Sequence, residues 1–234
     1  MARTGIPLLA VLIDADNSSP KWVEAIFEEI AGLGEASVRR IYGDFSRAQM
    51  SGWQEKLPSL ALVPHHQPAN TVGKNSSDIA LVIDAMDLLH TGRFDGFVLI
   101  SSDSDFTRLA SRIREQGLDV YGIGQQKTPE AFRKACKRFI FVENILPEAD
   151  PEPAESRKSH PSKAVPLIKA AMQAIDKDED WFSLGQVGQF IVAANPDFDA
   201  RNYGCAKLSE LVARSGAFEL RKSSGNSMQL RLKP

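Results

Sequence analysis

The sequence has few of the residues that build disulfide frameworks or structural zinc sites. Among its 234 residues only two are cysteines and four are histidines. Cys136 and Cys205 stand far apart in the sequence and have no metal-binding spacing. So sparse a use of cysteine is typical of a reducing compartment, and we expect the protein to be cytoplasmic. The fold must therefore be held by the packing of apolar side chains, without disulfides or structural metal sites.

The chain also has no strong charge of one sign and no long hydrophobic run. Its formal net charge is −2 and its pI is about 6.1, which argues against nonspecific coating of DNA but permits a local basic groove. The apolar run 8–13 is too short to span a membrane. This run also lacks the layout of a cleavable signal peptide.

Short apolar runs alternate with helical patterns as far as residue 142. The runs predict strands at 8–13, 38–42, 60–63, 97–100, 120–123 and 139–142. The clearest helical pattern covers 77–89, and its expected buried face consists of Ile79, Val82, Ile83, Met86 and Leu89. This alternation predicts βαβ units, and hence an α/β domain with a mostly parallel sheet and flanking helices over residues 1–146.

The composition changes between residues 147 and 163, where four prolines stand among charged and hydroxyl side chains. This segment predicts a linker. Residues 164–234 then predict a second, smaller domain. Its pattern indicates helices at 164–175, 184–194 and 204–215, followed by strands at 218–221 and 228–232. A turn containing Gly225-Asn226 joins the two strands, and this order of elements is a winged-helix layout.

Acidic residues occur at three places where a strand or loop gives way to a helix. Asp14 and Asp16 follow the first strand, Asp78 opens the helical pattern at 77–89, and Asp103 and Asp105 follow the fourth strand. Ligands of open parallel sheets bind at the carboxyl ends of the strands. Carboxylates gathered there repel one another unless a hard divalent cation joins them. The pattern therefore predicts a metal-dependent enzyme that acts on phosphates.

Phosphodiester cleavage at a two-metal site needs several carboxylates from separate segments of the chain. Asp14, Asp78 and Asp103 meet that need. Polar residues near them are suited to orienting water, a carboxylate or a phosphate oxygen, and these are Asn17, Lys74, Ser101 and Ser102.

Three segments resemble the signatures of the NYN domain family, which has a PIN-like nuclease fold and includes a LabA-like bacterial group. They are Ile13-Asp14-Ala15-Asp16-Asn17, Lys74-Asn75-Ser76-Ser77-Asp78 and Ser101-Ser102-Asp103-Ser104-Asp105-Phe106. The resemblance implies a ribonuclease that depends on Mg²⁺ or Mn²⁺. By position, it makes Asp14, Asp78 and Asp103 the metal ligands, with Asn17 and Asp105 in support.

Two alternatives remain open at this point. Many family members have a glycine in the turn before the helical aspartate, whereas this chain has Asn75-Ser76-Ser77, which leaves a non-catalytic RNA-binding adaptor with a degenerate acidic pocket as an alternative. Asp14-Ala15-Asp16 after a strand is also similar to haloacid dehalogenase-like phosphatases, in which the first aspartate is a nucleophile. The following Asn17-Ser18 is a partial mismatch to that motif.

Basic residues supply candidates for RNA contact. One cluster consists of Arg133, Lys134, Lys137 and Arg138. The C-terminal region resembles the LOTUS domain, also called OST-HTH, through its helical pattern at 184–194, the segment 195–198, the segment 203–208 and the two final strands. This resemblance implies RNA binding or docking to a helicase. Tyr203 is a candidate for base stacking and Lys207 for phosphate contact.

Overall fold

The computed structural model describes residues 5–66, 76–146, 158–175, 180–223, 225 and 227–233. The chain forms two compact units that divide after Leu146. Lys74, one of the candidate RNA contacts, lies outside the described residues, as does most of the expected linker. No helix within the described ranges is both long enough and apolar enough to cross a membrane.

The first unit is a parallel sheet of six strands in the order β3-β2-β1-β4-β5-β6. The strands are β1 (Leu8–Asp14), β2 (Glu35–Gly43), β3 (Val63–His66), β4 (Gly96–Ile100), β5 (Asp119–Gly124) and β6 (Arg138–Phe141). The helices that follow the first five strands are α1 (Val23–Ala31), α2 (Ser51–Ser59), α3 (Ser76–His90), α4 (Thr107–Glu115) and α5 (Glu130–Ala135). The predicted α/β fold is confirmed.

The two central strands are buried on both faces, as expected for continuous apolar runs in a parallel sheet. Leu9, Val11 and Ile13 of β1 pack with side chains of α1 and α2 on one face of the sheet. Ala10 and Leu12, which alternate with them, pack with α3, α4 and α5 on the other face. The sheet is therefore covered by helices on both sides.

The order of the strands reverses between β1 and β4. From β1 the chain builds β2 and β3 outward on one side, and it then returns to place β4 against the opposite edge of β1. The loops that leave the carboxyl ends of β1 and β4 diverge at such a reversal. This topological switch point is where ligands of open α/β sheets bind.

Two details of the first unit differ from the predictions. The third strand occupies Val63–His66 rather than 60–63, because the main-chain N–H of Leu62 bonds to Leu57 O at 3.0 Å and closes the end of α2. The buried face of α3 is also different. Leu81, Ala85 and Leu88 pack against the sheet, whereas Ile79 and Ile83 are 61% and 57% exposed.

The second unit packs three helices against a small antiparallel sheet of order β7-β9-β8. The elements are α6 (Val165–Ile175), β7 (Phe182–Ser183), α7 (Leu184–Ala194), α8 (Leu208–Ser215), β8 (Phe218–Lys222) and β9 (Met228–Leu232). The third helix begins at Leu208 rather than at 204, because Gly204 has a φ of 69° and ends a separate 3-10 turn. The two-residue strand β7 is too short for sequence periodicity to reveal.

The segment 158–163, which was predicted to belong to the linker, packs into the second unit. Pro161 is buried, and Ala164 at the end of the same 3-10 turn is fully buried in that unit's core. The N–H of Ser159 donates to Asn202 O at 2.9 Å. The described part of the second unit therefore starts at residue 158.

Candidate active site

Asp14 ends β1 at the switch point, and its carboxylate is held by four hydrogen bonds. One oxygen, Oδ1, accepts the main-chain N–H groups of Asp16 at 3.1 Å and Asn17 at 3.2 Å. The other, Oδ2, accepts the Ser101 hydroxyl at 2.7 Å and the Asn17 side-chain amide at 2.8 Å. The residue is only 1% exposed. Its orientation is consequently fixed by the chain.

Ser101 connects the two central strands. It directly follows β4, and its buried hydroxyl donates to Asp14 while accepting the N–H of Asp103 at 3.0 Å. Asp103 in turn accepts the N–H of Asp105 at 2.9 Å and begins the 3-10 turn that leads into α4. One continuous hydrogen-bonded chain thus joins Asp14 to Asp103 and Asp105.

The first turn of α3 supplies another carboxylate. Ser77 donates its hydroxyl to Asp16 Oδ2 at 3.0 Å, which ties the beginning of α3 to the end of β1. The next residue, Asp78, has its pKa raised to about 6. Burial contributes most to this rise, and repulsion from four other carboxylates adds to it, namely those of Asp14, Asp103, Asp16 and Asp105. Four carboxylates of this crevice therefore lie close enough to Asp78 to oppose its ionisation.

Burial also raises the pKa of Asp14, although the hydrogen bonds from Ser101 and Asn17 oppose the rise. A divalent cation would relieve the cost of keeping these groups ionised. The donors are all oxygen atoms, which suits Mg²⁺ or Mn²⁺. In the described ranges, however, no three His, Cys, Asp or Glu side chains are already arranged as a metal-binding group. A cation bound at Asp14 Oδ2 would have to replace the Asn17 amide.

The domain that holds these carboxylates matches a known protein family. Residues 8–144, which include all five carboxylates, match the family model of the NYN domain. The chain belongs to the NYN domain family. Residues 158–229 match the OST-HTH/LOTUS domain, so the predicted resemblance and the predicted order of the two domains are both confirmed.

Other comparisons add little. No curated protein matches the chain. A crystal structure of a protein of unknown function from Vibrio parahaemolyticus is similar at 19% identity, with a TM-score of 0.49. That match covers 59% of this chain and 94% of the other.

Not all predicted site residues of the NYN domain come together. Ser102 lies beside Ser101, but its hydroxyl accepts the N–H of Gln125 at 2.9 Å and so serves the loop after β5 rather than Asp14. Ser77, whose link to Asp16 brings α3 to the site, was not among the predicted residues. The one signal in the sequence is its position directly before Asp78.

The basic cluster lies largely away from the acidic crevice of the NYN domain. Lys137 and Arg138 stand at the amino end of β6, and Lys137 pairs with Asp119 at the amino end of β5 at 2.6 Å. The amino ends of parallel strands form the opposite edge of the sheet from Asp14 and Asp103. Lys134 pairs with Glu130 at 2.7 Å, and Arg133 lies 5.7 Å from the ring of Phe141.

A second polar cluster holds α3 on the sheet. Asp84 accepts the Tyr42 hydroxyl at 2.7 Å and pairs with Arg40 at 2.8 Å, while His65 Nδ1 lies 3.3 Å away. Burial and the hydrogen bond to Asp84 raise the pKa of Tyr42. Because Asp84 joins β2, β3 and α3, we assign it to the positioning of α3, which carries Asp78.

The LOTUS domain places its two predicted RNA-contacting residues differently. Tyr203 is half-buried and packs against Phe198, with 5.9 Å between the ring centroids. Burial raises the pKa of its hydroxyl. Lys207 is exposed and immediately precedes α8. Of the two, Lys207 is the more exposed.

Ser101→Ala is expected to weaken divalent-cation binding by roughly 10- to 100-fold, because outer hydrogen bonds that orient metal ligands have effects of this size. Isothermal titration with Mn²⁺ would measure the loss. Ser102→Ala is the matched control, since its hydroxyl faces the β5 loop. Equal losses in both variants would contradict a specific role for the Ser101–Asp14 contact.

Proposed function

We propose that this protein is a ribonuclease that depends on Mg²⁺ or Mn²⁺, and that its LOTUS domain holds RNA. The observation that carries the proposal is the gathering of five carboxylates at the switch point of an NYN domain, where four of them raise the pKa of the fifth, Asp78. Holding these carboxylates close together costs free energy, and a function that uses a bound cation explains why the fold bears that cost. The coarser conclusion, an RNA-related role, follows from the two families themselves.

In this proposal Asp14, Asp78 and Asp103 hold the cation. Once bound, the cation would supply an activated water and would neutralise charge that develops on the phosphate. The chain's own residues prepare the site. Ser101 fixes Asp14 and Asp103 relative to each other, and the Asn17 amide, when released from Asp14, is free to donate to a phosphate oxygen.

The phosphatase alternative is less compatible with the geometry. A nucleophilic aspartate must present an unencumbered oxygen to phosphorus, whereas each oxygen of Asp14 accepts two hydrogen bonds. The Asp14 side chain is also buried. Both observations count against attack by Asp14 on phosphorus.

The test is metal-dependent RNA cleavage by the wild type and by Asp103→Asn. We expect Asp103→Asn to lower the rate by roughly 10²-fold, since removal of one electrostatic stabilising group commonly costs this much. Asp87→Asn is the matched control because Asp87 is an exposed carboxylate near the far end of α3. Gel assays with structured and single-stranded RNAs, in Mg²⁺ and in Mn²⁺, would give the rates.

Two outcomes would overturn the nuclease. One is no cleavage of any RNA by the wild type, and the other is the same rate in Asp103→Asn as in Asp87→Asn. If RNA still bound in either case, the RNA-binding adaptor with a degenerate acidic pocket would be the better reading. Docking of a helicase to the LOTUS domain and a cytoplasmic location both stay predictions.

A further inference from the structure

The outer face of the LOTUS sheet carries an unusual group of side chains. Residues on β7, β9 and β8 alternate between the two faces, and Phe182, Leu230 and Phe218 point inward to the core. Their neighbours therefore point outward. Trp181 directly precedes β7, Arg231 is on β9 and Arg221 is on β8, so all three lie on the outer face.

Both arginines contact the tryptophan, and the three side chains form what we call the arginine–tryptophan platform (Trp181, Arg221 and Arg231). The guanidinium carbon of Arg221 lies 3.9 Å from the centroid of the Trp181 ring, and that of Arg231 lies 4.8 Å from it. Both distances are within the range of cation–π attraction. The indole ring and the guanidinium groups are therefore held in place before any ligand arrives.

The platform carries positive charge that is accessible to a ligand. Arg231 pairs with Glu219 at 2.7 Å, but the described part of the chain gives Arg221 no carboxylate partner, and its Nε donates to Gln229 Oε1 at 3.0 Å. Arg221 is exposed, as is Lys233 just after β9, which by the same alternation lies on this face. The local balance on this face is consequently positive although the whole chain is slightly negative.

Core packing does not explain the position of Trp181. The hydrophobic cluster of the LOTUS domain includes Phe182 and Tyr203 among its buried and partly buried members, but Trp181 is not part of it. The outer face of a sheet gains little by holding a large aromatic ring against two guanidinium groups unless a ligand uses both. Flat rings and guanidinium planes are surfaces on which unpaired bases stack, and the charges suit a phosphate backbone.

We propose that the arginine–tryptophan platform is the binding surface for single-stranded RNA on the LOTUS domain. A base stacks on the platform, and an adjoining phosphate contacts Arg221. This inference rests on the proposed RNA function and gives it a location. It replaces Tyr203, which is committed to Phe198, as the stacking residue.

The experiment measures binding of a fluorescently labelled 12-nucleotide RNA of mixed sequence to the full chain by anisotropy. All variants carry Asp103→Asn to prevent cleavage. We expect Trp181→Ala to weaken binding by about 5- to 100-fold, in line with the loss of one stacked base, and Trp181→Phe to retain most of the affinity. Arg221→Gln should weaken binding and lower the salt dependence by about one phosphate contact.

Lys169→Gln is the control for a general loss of charge, since Lys169 is an exposed cation on α6. Thermal melts of each variant would verify folding. Wild-type affinity in a folded Trp181→Ala variant would overturn the inference. An equal loss of affinity in Trp181→Ala and Lys169→Gln would also overturn it. So would displacement of the RNA by polyglutamate to the same extent in the wild type and in Trp181→Ala, because that result would indicate an acidic protein segment as the ligand. Cleavage by the wild type is scored separately, so the nuclease proposal can survive each of these results.

Discussion

Asp78→Asn is expected to raise the thermal stability of the metal-free protein at pH 7 and to lower metal-dependent cleavage by roughly 10³-fold. The stability gain arises because burial and four neighbouring carboxylates raise the pKa of Asp78 from 3.8 to about 6. Below pH 3.8 the carboxyl is protonated in both the folded and the unfolded chain. Between pH 3.8 and about 6 the unfolded chain releases this proton while the folded chain retains it, so the folded state loses stability until both are ionised. The asparagine variant avoids that cost.

An opposing effect exists and should be smaller. Asp78 lies in the first turn of α3, where a carboxylate gains about 0.3–1 kcal/mol from the helix dipole. Were that gain dominant, the pKa of Asp78 would be lowered, whereas it is raised. Burial and repulsion therefore outweigh the dipole, and the substitution should stabilise the chain.

Melting curves of the wild type and Asp78→Asn between pH 3.5 and 8, with chelator present, would test this. The difference in Tm should be near zero at the acid end, grow between about pH 4 and 6, and then level off. Adding Mn²⁺ at pH 7 should stabilise the wild type more than the variant. A difference in Tm independent of pH, or equal to that of Asp87→Asn, would mean that repulsion among carboxylates is not its cause.

The sequence predicted the central part of the fold well for a physical reason. β1 and β4 are buried on both faces, so their apolar runs are continuous and have few alternative interpretations. Asp14 ends β1 and Asp103 follows β4 by three residues, so a predicted parallel sheet carries both at its carboxyl edge. That β4 lies directly beside β1 is a contact between distant segments, and the sequence did not predict it.

The face of α3 could not be predicted in the same way. This helix is apolar on most sides, with Ile79 and Ile83 as suited to burial as Leu81 and Ala85. Which pair packs inward depends on how Asp84 and Ser77 anchor the helix to β2, β3 and the end of β1. Those anchors are contacts between residues distant in the sequence, which periodicity does not register.

The basic residues show the same limit. Lys137 and Arg138 are close to Arg133 and Lys134 in sequence, but the chain reaches the amino edge of the sheet at β6 and carries the first pair away from the acidic crevice. The arginine–tryptophan platform is the converse case. Its residues, Trp181, Arg221 and Arg231, are far apart in sequence and are assembled only by the pairing of β7, β9 and β8.

Asp14→Asn is expected to have the opposite effect on stability from Asp78→Asn, although both substitutions should lower cleavage by roughly 10³-fold. Four donors converge on the Asp14 carboxylate, two on each oxygen. An asparagine offers one oxygen and one NH₂ group, so two donors would face another donor. A buried donor left without an acceptor, here the Ser101 hydroxyl, costs about 1–3 kcal/mol, and we expect a loss of this size in the free energy of unfolding.

Burial of the Asp14 charge acts against this loss. Burial raises the pKa of the carboxyl, which means that the folded chain bears a cost for the ionised group, and the neutral asparagine does not carry that cost. The hydrogen bonds should prevail because Asp14 and Ser101 are both almost fully buried, so the displaced Ser101 hydroxyl has no room to find water. Urea unfolding of the wild type, Asp14→Asn and the double variant Asp14→Asn/Ser101→Ala at pH 7 in chelator would measure the balance. Removing the Ser101 hydroxyl should recover part of the loss, because one opposing donor is then gone. A stabilised Asp14→Asn, or no recovery in the double variant, would show that burial rather than donor convergence governs this carboxylate.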